Sequence, residues 1–275
     1  MENYRIAILM ATYNGEKYLK EQIDSIISQT CQDWHLYIHD DGSKDSTIAI
    51  IKDYICQYPD SITLLDYPPQ GGACWNFLSM LEKVEAPYYM FCDQDDVWNP
   101  NKTEISIQVM KELEMQYPDK PIIVHSDARI VDSQLNLVHP SHRAYSHIYP
   151  EKVTSFNQCV INVAPGCCML FNAKAKETAL ARPWTAAIMH DAWVIVCTYA
   201  ANGIVHAIPT ALMDYRNHGN NTVGAIEGSQ FTIYYRIRHF KEMIHKNIQQ
   251  YRMLRSAGYG SIFTYYYYKF KLHIH

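Results

Sequence analysis

Asp93, Asp95 and Asp96 place three carboxylates within four residues, the densest concentration of chemistry in the 275-residue chain. They close a short apolar run, Tyr-Tyr-Met-Phe-Cys at 88–92, and precede Val97, Trp98 and an Asn-Pro break. A run of that length and aromatic content predicts a buried strand, which puts the acids at its end. Like charges this close repel, and partial burial raises the cost. Oxygen ligands at the end of a strand suit Mg²⁺ or Mn²⁺, which bind through one or two carboxylates and complete their shell with water and substrate phosphates. The alternative is a solvated acidic turn. The surrounding elements discriminate between the two.

Residues 5–11, Arg-Ile-Ala-Ile-Leu-Met-Ala, are nearly all apolar, as in a strand buried on both faces of a parallel sheet. Thr12, Tyr13, Asn14 and Gly15 break the run, and Leu19, Ile23, Ile26 and Ile27 follow at helical spacing. A second strand at 34–39 runs into Asp40-Asp41-Gly42-Ser43, and Asp45, Ser46 and Thr47 offer N-caps for a helix carrying Ile48, Ile51, Tyr54 and Ile55. A third strand at 62–65 and a helix at 74–81 lead to the Tyr88 strand. This β-α-β-α-β-α-β order predicts a parallel α/β sheet with right-handed crossovers. Thr12 to Asn14, Asp40-Asp41 and Asp93 to Asp96 then all follow the carboxyl ends of strands, the edge where open α/β sheets bind ligands. Three polar clusters on one edge favour a functional reading over separate solvated turns.

The second half is less regular. A strand at 122–124 is followed by His125-Ser126-Asp127, residues 130–138 read as a hairpin turning at Asp132 and Asn136, and 140–151 read as a polar loop. Pro165-Gly166 turns into a strand, Met189-His190-Asp191-Ala192-Trp193 opens an apolar helix ended by Asn202-Gly203, and a last strand at 204–212 precedes a polar loop at 215–224.

The whole chain supplies ample core for one large domain or two small ones. No apolar run reaches the ~18 residues of a transmembrane helix, and residues 1–4 lack the basic and apolar regions of a signal peptide. The eight cysteines show no Cys-x-x-Cys spacing, and Cys92, Cys167, Cys168 and Cys197 lie in apolar runs. They read as small buried hydrophobes of a reducing compartment, so a cytoplasmic protein is expected. Residues 229–275 hold eight Lys/Arg and one acid, Glu242, a net of +7; against a total of −4 the remainder carries −11. That asymmetry predicts a basic appendage at 229–275 on an acidic body at 1–228. In the appendage Tyr234, Ile237, Phe240, Ile244 and Ile248 lie near one helix face, with Arg236, Arg238, Lys241 and Lys246 on the other. Either an interfacial helix lying on anionic lipid or a helix packed on the body accounts for that pattern.

Together these pieces resemble the family 2 glycosyltransferases, nucleotide-sugar enzymes of the GT-A fold. The matching segments, in order, are Ala11-Thr12-Tyr13-Asn14-Gly15, Asp40-Asp41-Gly42-Ser43-Lys44-Asp45, Asp93-Gln94-Asp95 with Asp96, His190-Asp191-Ala192-Trp193, and the 215–224 loop. The likeness covers about residues 4–225. A finer likeness, to bacterial rhamnosyltransferases of surface polysaccharide synthesis, rests on Asp93-Gln94-Asp95-Asp96-Val97-Trp98, on His125-Ser126-Asp127 with Val131-Asp132, and on Tyr215-Arg216-Asn217-His218-Gly219-Asn220-Asn221.

The resemblance implies a fold of mostly parallel sheet with flanking helices, and assigns roles. Thr12, Tyr13 and Asn14 would lie against the nucleotide, and Asp40 or Asp41 would accept a hydrogen bond from a uracil or thymine N–H. Asp95 would be the first metal ligand, Asp93 would stand nearer the ribose and the metal's waters, and His218 would be a third ligand. Arg216 would clamp a phosphate oxygen. Asp191 would be the general base of an inverting transfer, taking the acceptor hydroxyl's proton as that oxygen attacks from the face opposite the leaving group; capping the helix is compatible with that role. His190 would orient it, and Trp98 and Trp193 would either form a stacking floor for the acceptor sugar or be buried, the commoner fate of a tryptophan.

The expected reaction moves L-rhamnose from a dTDP donor, or a sugar from a UDP donor, with Mg²⁺ or Mn²⁺, onto an oligosaccharide or lipid-linked glycan. The tail would touch the inner face of the cell membrane, and no nucleic-acid partner is expected. A nucleotidyl transferase would want a glycine- and base-rich phosphate loop after the first strand, and a dinucleotide dehydrogenase Gly-x-Gly-x-x-Gly; neither is present. An aspartyl phosphatase would carry its Asp-x-Asp after the first strand rather than the fourth. A non-catalytic sugar-nucleotide-binding scaffold would tolerate loss of Asp93, Asp95, Asp96 or Asp191, yet all four are present.

Overall fold

The structure, a computed structural model, describes residues 6–218 and 240–273. Residues 219–224 of the polar loop, the expected 228/229 boundary, and Tyr234, Arg236, Ile237 and Arg238 lie outside the described residues.

Four strands form the expected parallel half of the sheet: β1 (Ile6–Thr12), β2 (Trp34–Asp40), β3 (Ile62–Leu64) and β4 (Tyr88–Cys92). Their crossovers are α1 (Leu19–Ile27), α2 (Thr47–Gln57) and α3 (Ala73–Lys83). Register places Thr12 beside Asp40, and Met10 beside Cys92. The polar clusters after β1, β2 and β4 therefore share one edge, as expected.

Beyond β4 the sheet is mixed. Its order is β3-β2-β1-β4-β8-β6-β9-β5, where β5 is Val97–Trp98, β6 is Ile122–Val131, β8 is Met169–Asn172 and β9 is Ile204–Arg216; β7 (Leu137–His139) pairs only with β6. β8 runs antiparallel to both β4 and β6, which leaves β6 and β9 parallel to the first half. His125-Ser126-Asp127 does not follow a strand but lies inside β6, with His125 paired to Met169 and Ala207. The 140–151 stretch contains a short helix, α5 (His142–Tyr145), held by the Ser141 hydroxyl accepting from Ala144 N.

Two helices escape a reading of periodicity. In α4 (Lys102–Gln116) the buried face mixes Lys102, Thr103 and Ser106 with Ile107, Met110 and Leu113. In α6 (Ala173–Leu180) it is Ala175, Lys176 and Ala179. Polar and small residues on an inward face erase the apolar stripe on which the method depends.

α1, α2 and α4 cover one face of the sheet. The other face carries α3, α6 and α7 (His190–Ala200), together with two C-terminal helices, α8 (Phe240–Ser256) and α9 (Ile262–His273). Met253, Leu254, Ala257, Tyr259 and Tyr265 from these last helices join the same apolar cluster as Val153, Cys159, Val160 and Trp193. Gln250 Nε2 donates to Val160 O and the Tyr259 hydroxyl to Asn157 O. Residues 250–272 are thus packed on the body, while Ile244 and Ile248 of the apolar face expected in the tail are exposed.

Candidate functional site

The edge loops are stitched to one another before any ligand arrives. Tyr13 N donates to Gln94 Oε1 at 2.9 Å and Gln94 Nε2 donates back to Tyr13 O at 3.0 Å, pinning the loop after β1 to the loop after β4. Gly15 leaves room for that side chain, since a Cβ there would stand 2.2 Å from Gln94 Oε1. Asn14 adopts a left-handed backbone (φ 47°); its N–H donates to Ser43 Oγ and its carbonyl oxygen Oδ1 accepts from Lys44 N. Tyr13 is exposed, whereas Thr12 is buried with its hydroxyl donating to Asp40 Oδ1. Thr12 thus lies in the floor of this edge, and Tyr13 and Asn14 are both exposed on it, Asn14 held by its bonds to Ser43 and Lys44.

The hydrogen bonds separate Asp40 from Asp41. An ionised carboxylate has about four acceptor positions. Asp40 fills them with Thr12 Oγ1, Ser43 Oγ, Gly42 N and Ser43 N. Asp41 accepts three backbone N–H groups, from Gln70, Gly71 and Gly72, the last two with positive φ, and keeps one position on a partly exposed side chain. The base-reading role expected of either acid is corrected for Asp40, which is spent on its own turn.

The acids after β4 differ in depth. Asp96 is buried, with Oδ1 accepting from Arg216 N at 3.0 Å and Oδ2 left without a partner. Asp93 and Asp95 are partly exposed, and Asp95 Oδ2 meets His218 Nε2 at 2.7 Å. Burial, the Asp95 charge and the Asp191 charge push the Asp93 carboxyl up to about 7. Burial, Asp95 and Asp93 hold Asp96 well above its ordinary value. Asp93, Asp96 and Cys167 bring ligand atoms within 4.8 Å of one another. The Cys167 thiol is pushed well up by its hydrogen bond with Cys168 and by burial; a neutral thiol is a poor ligand for a hard cation. Within that group the oxygens of Asp93 and Asp96, the latter with its orphaned Oδ2, are the donors whose chemistry suits Mg²⁺ or Mn²⁺, whereas Asp95 and His218 pair with each other and are not part of it.

Arg216 is turned into the protein. It is 1% exposed, and its guanidinium donates to Asp95 O, Ser133 O and the Glu21 carboxylate while stacking over Tyr18. The expected clamp is corrected: β9 runs on to residue 216 and carries the arginine beneath the acidic loop, where it fixes that loop's backbone. Lys102, fully buried, lies over the Trp98 ring, donates to Cys167 O and partly offsets the repulsion at Asp93. Neither Lys102 nor the Gln94 pin is legible in the sequence; the one signal for Gln94 is its place between Asp93 and Asp95.

Asp191 lies in the first turn of α7, after Met189 at the N-cap. Its Oδ2 accepts from Asn162 Nδ2 at 3.0 Å and Gly166 N at 3.1 Å, and Oδ1 accepts from Ala192 N. Its charge is one of the causes that raise the Asp93 carboxyl, after burial and the Asp95 charge. His190 is buried against Phe77 and Phe91, with Nδ1 unpartnered and its ordinary value lowered by burial. A Cβ on Gly166 would stand 2.5 Å from His190 Nε2 and 3.3 Å from the Asp191 Cβ. Gly166→Ala is therefore expected to fold yet lower kcat by ~10²-fold through displacement of Asp191; an unchanged kcat in steady-state assays would contradict this placement.

Trp98 and Trp193 are 2% and 0% exposed. The first supports Lys102, and the second donates its indole N–H to Ala179 O. Both are core residues, which corrects the expected acceptor floor. The His-Ser-Asp segment is likewise structural: Asp127 accepts from the Ser141 hydroxyl and Arg143 N, and Arg143 in turn reaches His125. A cleft of about 700 Å³ beside these residues, lined by Arg143, Tyr149, Glu151, Tyr199 and His206, contains none of the acids above except Asp127.

Among known proteins, the chain is 29% identical over 226 residues to the dTDP-rhamnosyl transferase RfbG of Shigella flexneri, covering 78% of this chain and 74% of RfbG. It is 26% identical over 168 residues to the UDP-Glc:alpha-D-GlcNAc-diphosphoundecaprenol beta-1,3-glucosyltransferase WfgD of Escherichia coli, covering 61% of this chain but only 59% of WfgD. Among solved structures it resembles the mannosyltransferase PcManGT of Pyrobaculum calidifontis, determined with GDP-Man and Mn²⁺, with a TM-score of 0.60, 13% identity, and coverage of 97% of this chain and 79% of that one. That likeness establishes the GT-A fold. Residues 7–178 match the model described as Glycosyl transferase family 2, and the chain belongs to that family and is a glycosyltransferase.

Proposed function

We propose that the protein is a metal-dependent, inverting transferase that moves L-rhamnose from dTDP-L-rhamnose onto a hydroxyl of a lipid-linked surface glycan. The observation that carries the reading is the cluster of acids at the end of β4, Asp93 and Asp96 with their oxygens close together and Asp95 beside His218, with the Asp191 charge contributing to the raised Asp93 carboxyl. Asp41, with its remaining acceptor position, would take the pyrimidine N–H of the donor, and Tyr13 would lie beside the nucleotide. Asp95 and Asp93 would hold Mg²⁺ or Mn²⁺, with His218 in reach as a further ligand. When bound, the cation neutralises charge developing on the leaving diphosphate. Asp191 takes the acceptor proton, its orientation fixed by Asn162 and Gly166. The rhamnosyl donor is supported by the likeness to RfbG, and the lipid-linked acceptor by the likeness to WfgD, whose acceptor is alpha-D-GlcNAc-diphosphoundecaprenol. All eight cysteines are unpaired, in keeping with a reducing, cytoplasmic setting at the inner face of the membrane.

The second reading keeps the mechanism and changes the donor to a UDP-sugar, as WfgD favours. Nucleoside diphosphate release by purified protein, measured with dTDP-rhamnose and several UDP-sugars, decides between them. Turnover of dTDP-rhamnose supports the first reading, and turnover of a UDP-sugar alone replaces it. Nucleotide binding without turnover, even with an acceptor glycan, would return the scaffold reading.

The metal assignment carries a pH signature. A carboxyl raised from 3.8 to about 7 favours the fold below pH ~4, and that contribution is lost as pH rises through about 7. A cation at Asp93 and Asp95 removes the penalty on the ionised form. The rise in Tm on adding Mn²⁺ is therefore expected to be larger near pH 8 than near pH 6, and the difference to disappear in Asp93→Asn. Equal shifts at both pH values in the unaltered protein would contradict the assignment.

A further inference from the structure

α9 is apolar or aromatic on nearly every side, Ile-Phe-Thr-Tyr-Tyr-Tyr-Tyr-Lys-Phe-Lys-Leu-His, yet only half of it is covered. Tyr265, Tyr268 and Leu272 pack into the body, and Lys269 and the Tyr265 hydroxyl both reach Gln250 of α8. The opposite stripe, Phe263, Tyr266, Tyr267 and Phe270, follows the i, i+3, i+4, i+7 spacing of one helix face. Phe263 is 84% exposed and Phe270 is 71% exposed, with Tyr267 at 58% and Ile262 at the helix start also open. A helix apolar all round is normally buried all round. Four exposed rings form a patch on the order of several hundred Å², the size that marks an interaction surface.

The charge around the stripe selects its occupant. The segment 229–275 carries +7 while the remainder carries −11, and within the described residues α8 and α9 hold six Lys/Arg against one acid, Glu242. Lys271 and, on α8, Lys241 and Lys246 are exposed, as are Ile244 and Ile248. Two phenylalanines and two tyrosines on one face, with exposed lysines on the same two helices, match the interfacial level of an anionic bilayer. Among the described residues no helix is long and apolar enough to cross a membrane, so the contact is with the surface. We infer that the outward face of α9, Phe263, Tyr266, Tyr267 and Phe270, docks the enzyme on an anionic lipid surface, with the basic tail supplying the electrostatic attraction. This deepens the lipid-linked acceptor of the proposed function and rests on it for its purpose. The docking itself requires neither donor nor acceptor.

Co-sedimentation of the full chain with phosphatidylcholine vesicles, with and without phosphatidylglycerol, tests it. Binding is expected only with the anionic lipid, at least tenfold weaker in 0.5 M NaCl and at least tenfold weaker in Phe263→Ser/Phe270→Ser. Donor turnover in solution is expected to be unchanged in that variant, which shows that it folds. Absence of vesicle binding, or a double variant that binds as well as the unaltered chain, would overturn the inference. So would a concentration-dependent dimer in sedimentation velocity that the same variant dissociates, since the stripe would then belong to a second copy. Because vesicle binding is read without substrates, a failed donor screen leaves this result intact, and the converse also holds.

Discussion

Asp191→Asn is expected to lower kcat by ~10³-fold, about 4 kcal/mol of barrier, while nucleotide-sugar affinity stays within about twofold. The substitution keeps the shape of the side chain and can keep an acceptor oxygen for Gly166 N, but an amide cannot take the proton of the attacking hydroxyl. The loss therefore falls on the chemical step and not on binding, which is the mark of an interaction made in the transition state. Steady-state kinetics against donor and acceptor, with a calorimetric Kd for the donor, separate the two. A fall in affinity with kcat preserved would reduce Asp191 to a residue that holds the start of α7.

The second large effect is expected at Asp95. Asp95→Ala removes an accessible oxygen ligand and the partner of His218 but leaves the Asp96–Arg216 contact beneath the loop. Loss of the cation's stabilisation of the leaving diphosphate is worth several kcal/mol, so kcat/KM is expected to fall by ~10³-fold. Mn²⁺ titration in the presence of nucleoside diphosphate should show the affinity lost in parallel. His218→Ala is expected to cost far less, about tenfold, because the cation would retain two carboxylates and water can replace an imidazole. Full activity of Asp95→Ala in EDTA would remove the metal from the account.

The parts of this site that were legible in the sequence are those whose signal is local. An apolar run ending in acids fixes both a strand and its edge, so Asp93, Asp95 and Asp96 could be placed without coordinates, as could the loops after β1 and β2. The residues that were misread have roles set by distant partners. Arg216, in a polar stretch, reads as a phosphate ligand until β9 carries it under the loop onto Glu21 and Ser133. Asp40 and Asp41 are indistinguishable as letters, and only the count of their hydrogen-bond donors separates them. Trp98 and Trp193 look like sugar platforms, yet their surroundings use them as core. α4 went unseen because its inward face holds Lys102 and Thr103, and that same lysine proved part of the electrostatics beneath the acids. The mixed second half of the sheet follows from β8 reversing direction, a choice of connection that periodicity does not encode.

The central claim is a single displacement, with Asp191 drawing the proton from an acceptor that attacks opposite the leaving group. The anomeric configuration of the transferred sugar, read by NMR on the purified product, tests it most directly. The account predicts a configuration opposite to that of the donor. Retention of the donor's configuration would contradict it, since the sugar would then have passed through two displacements or a same-face attack.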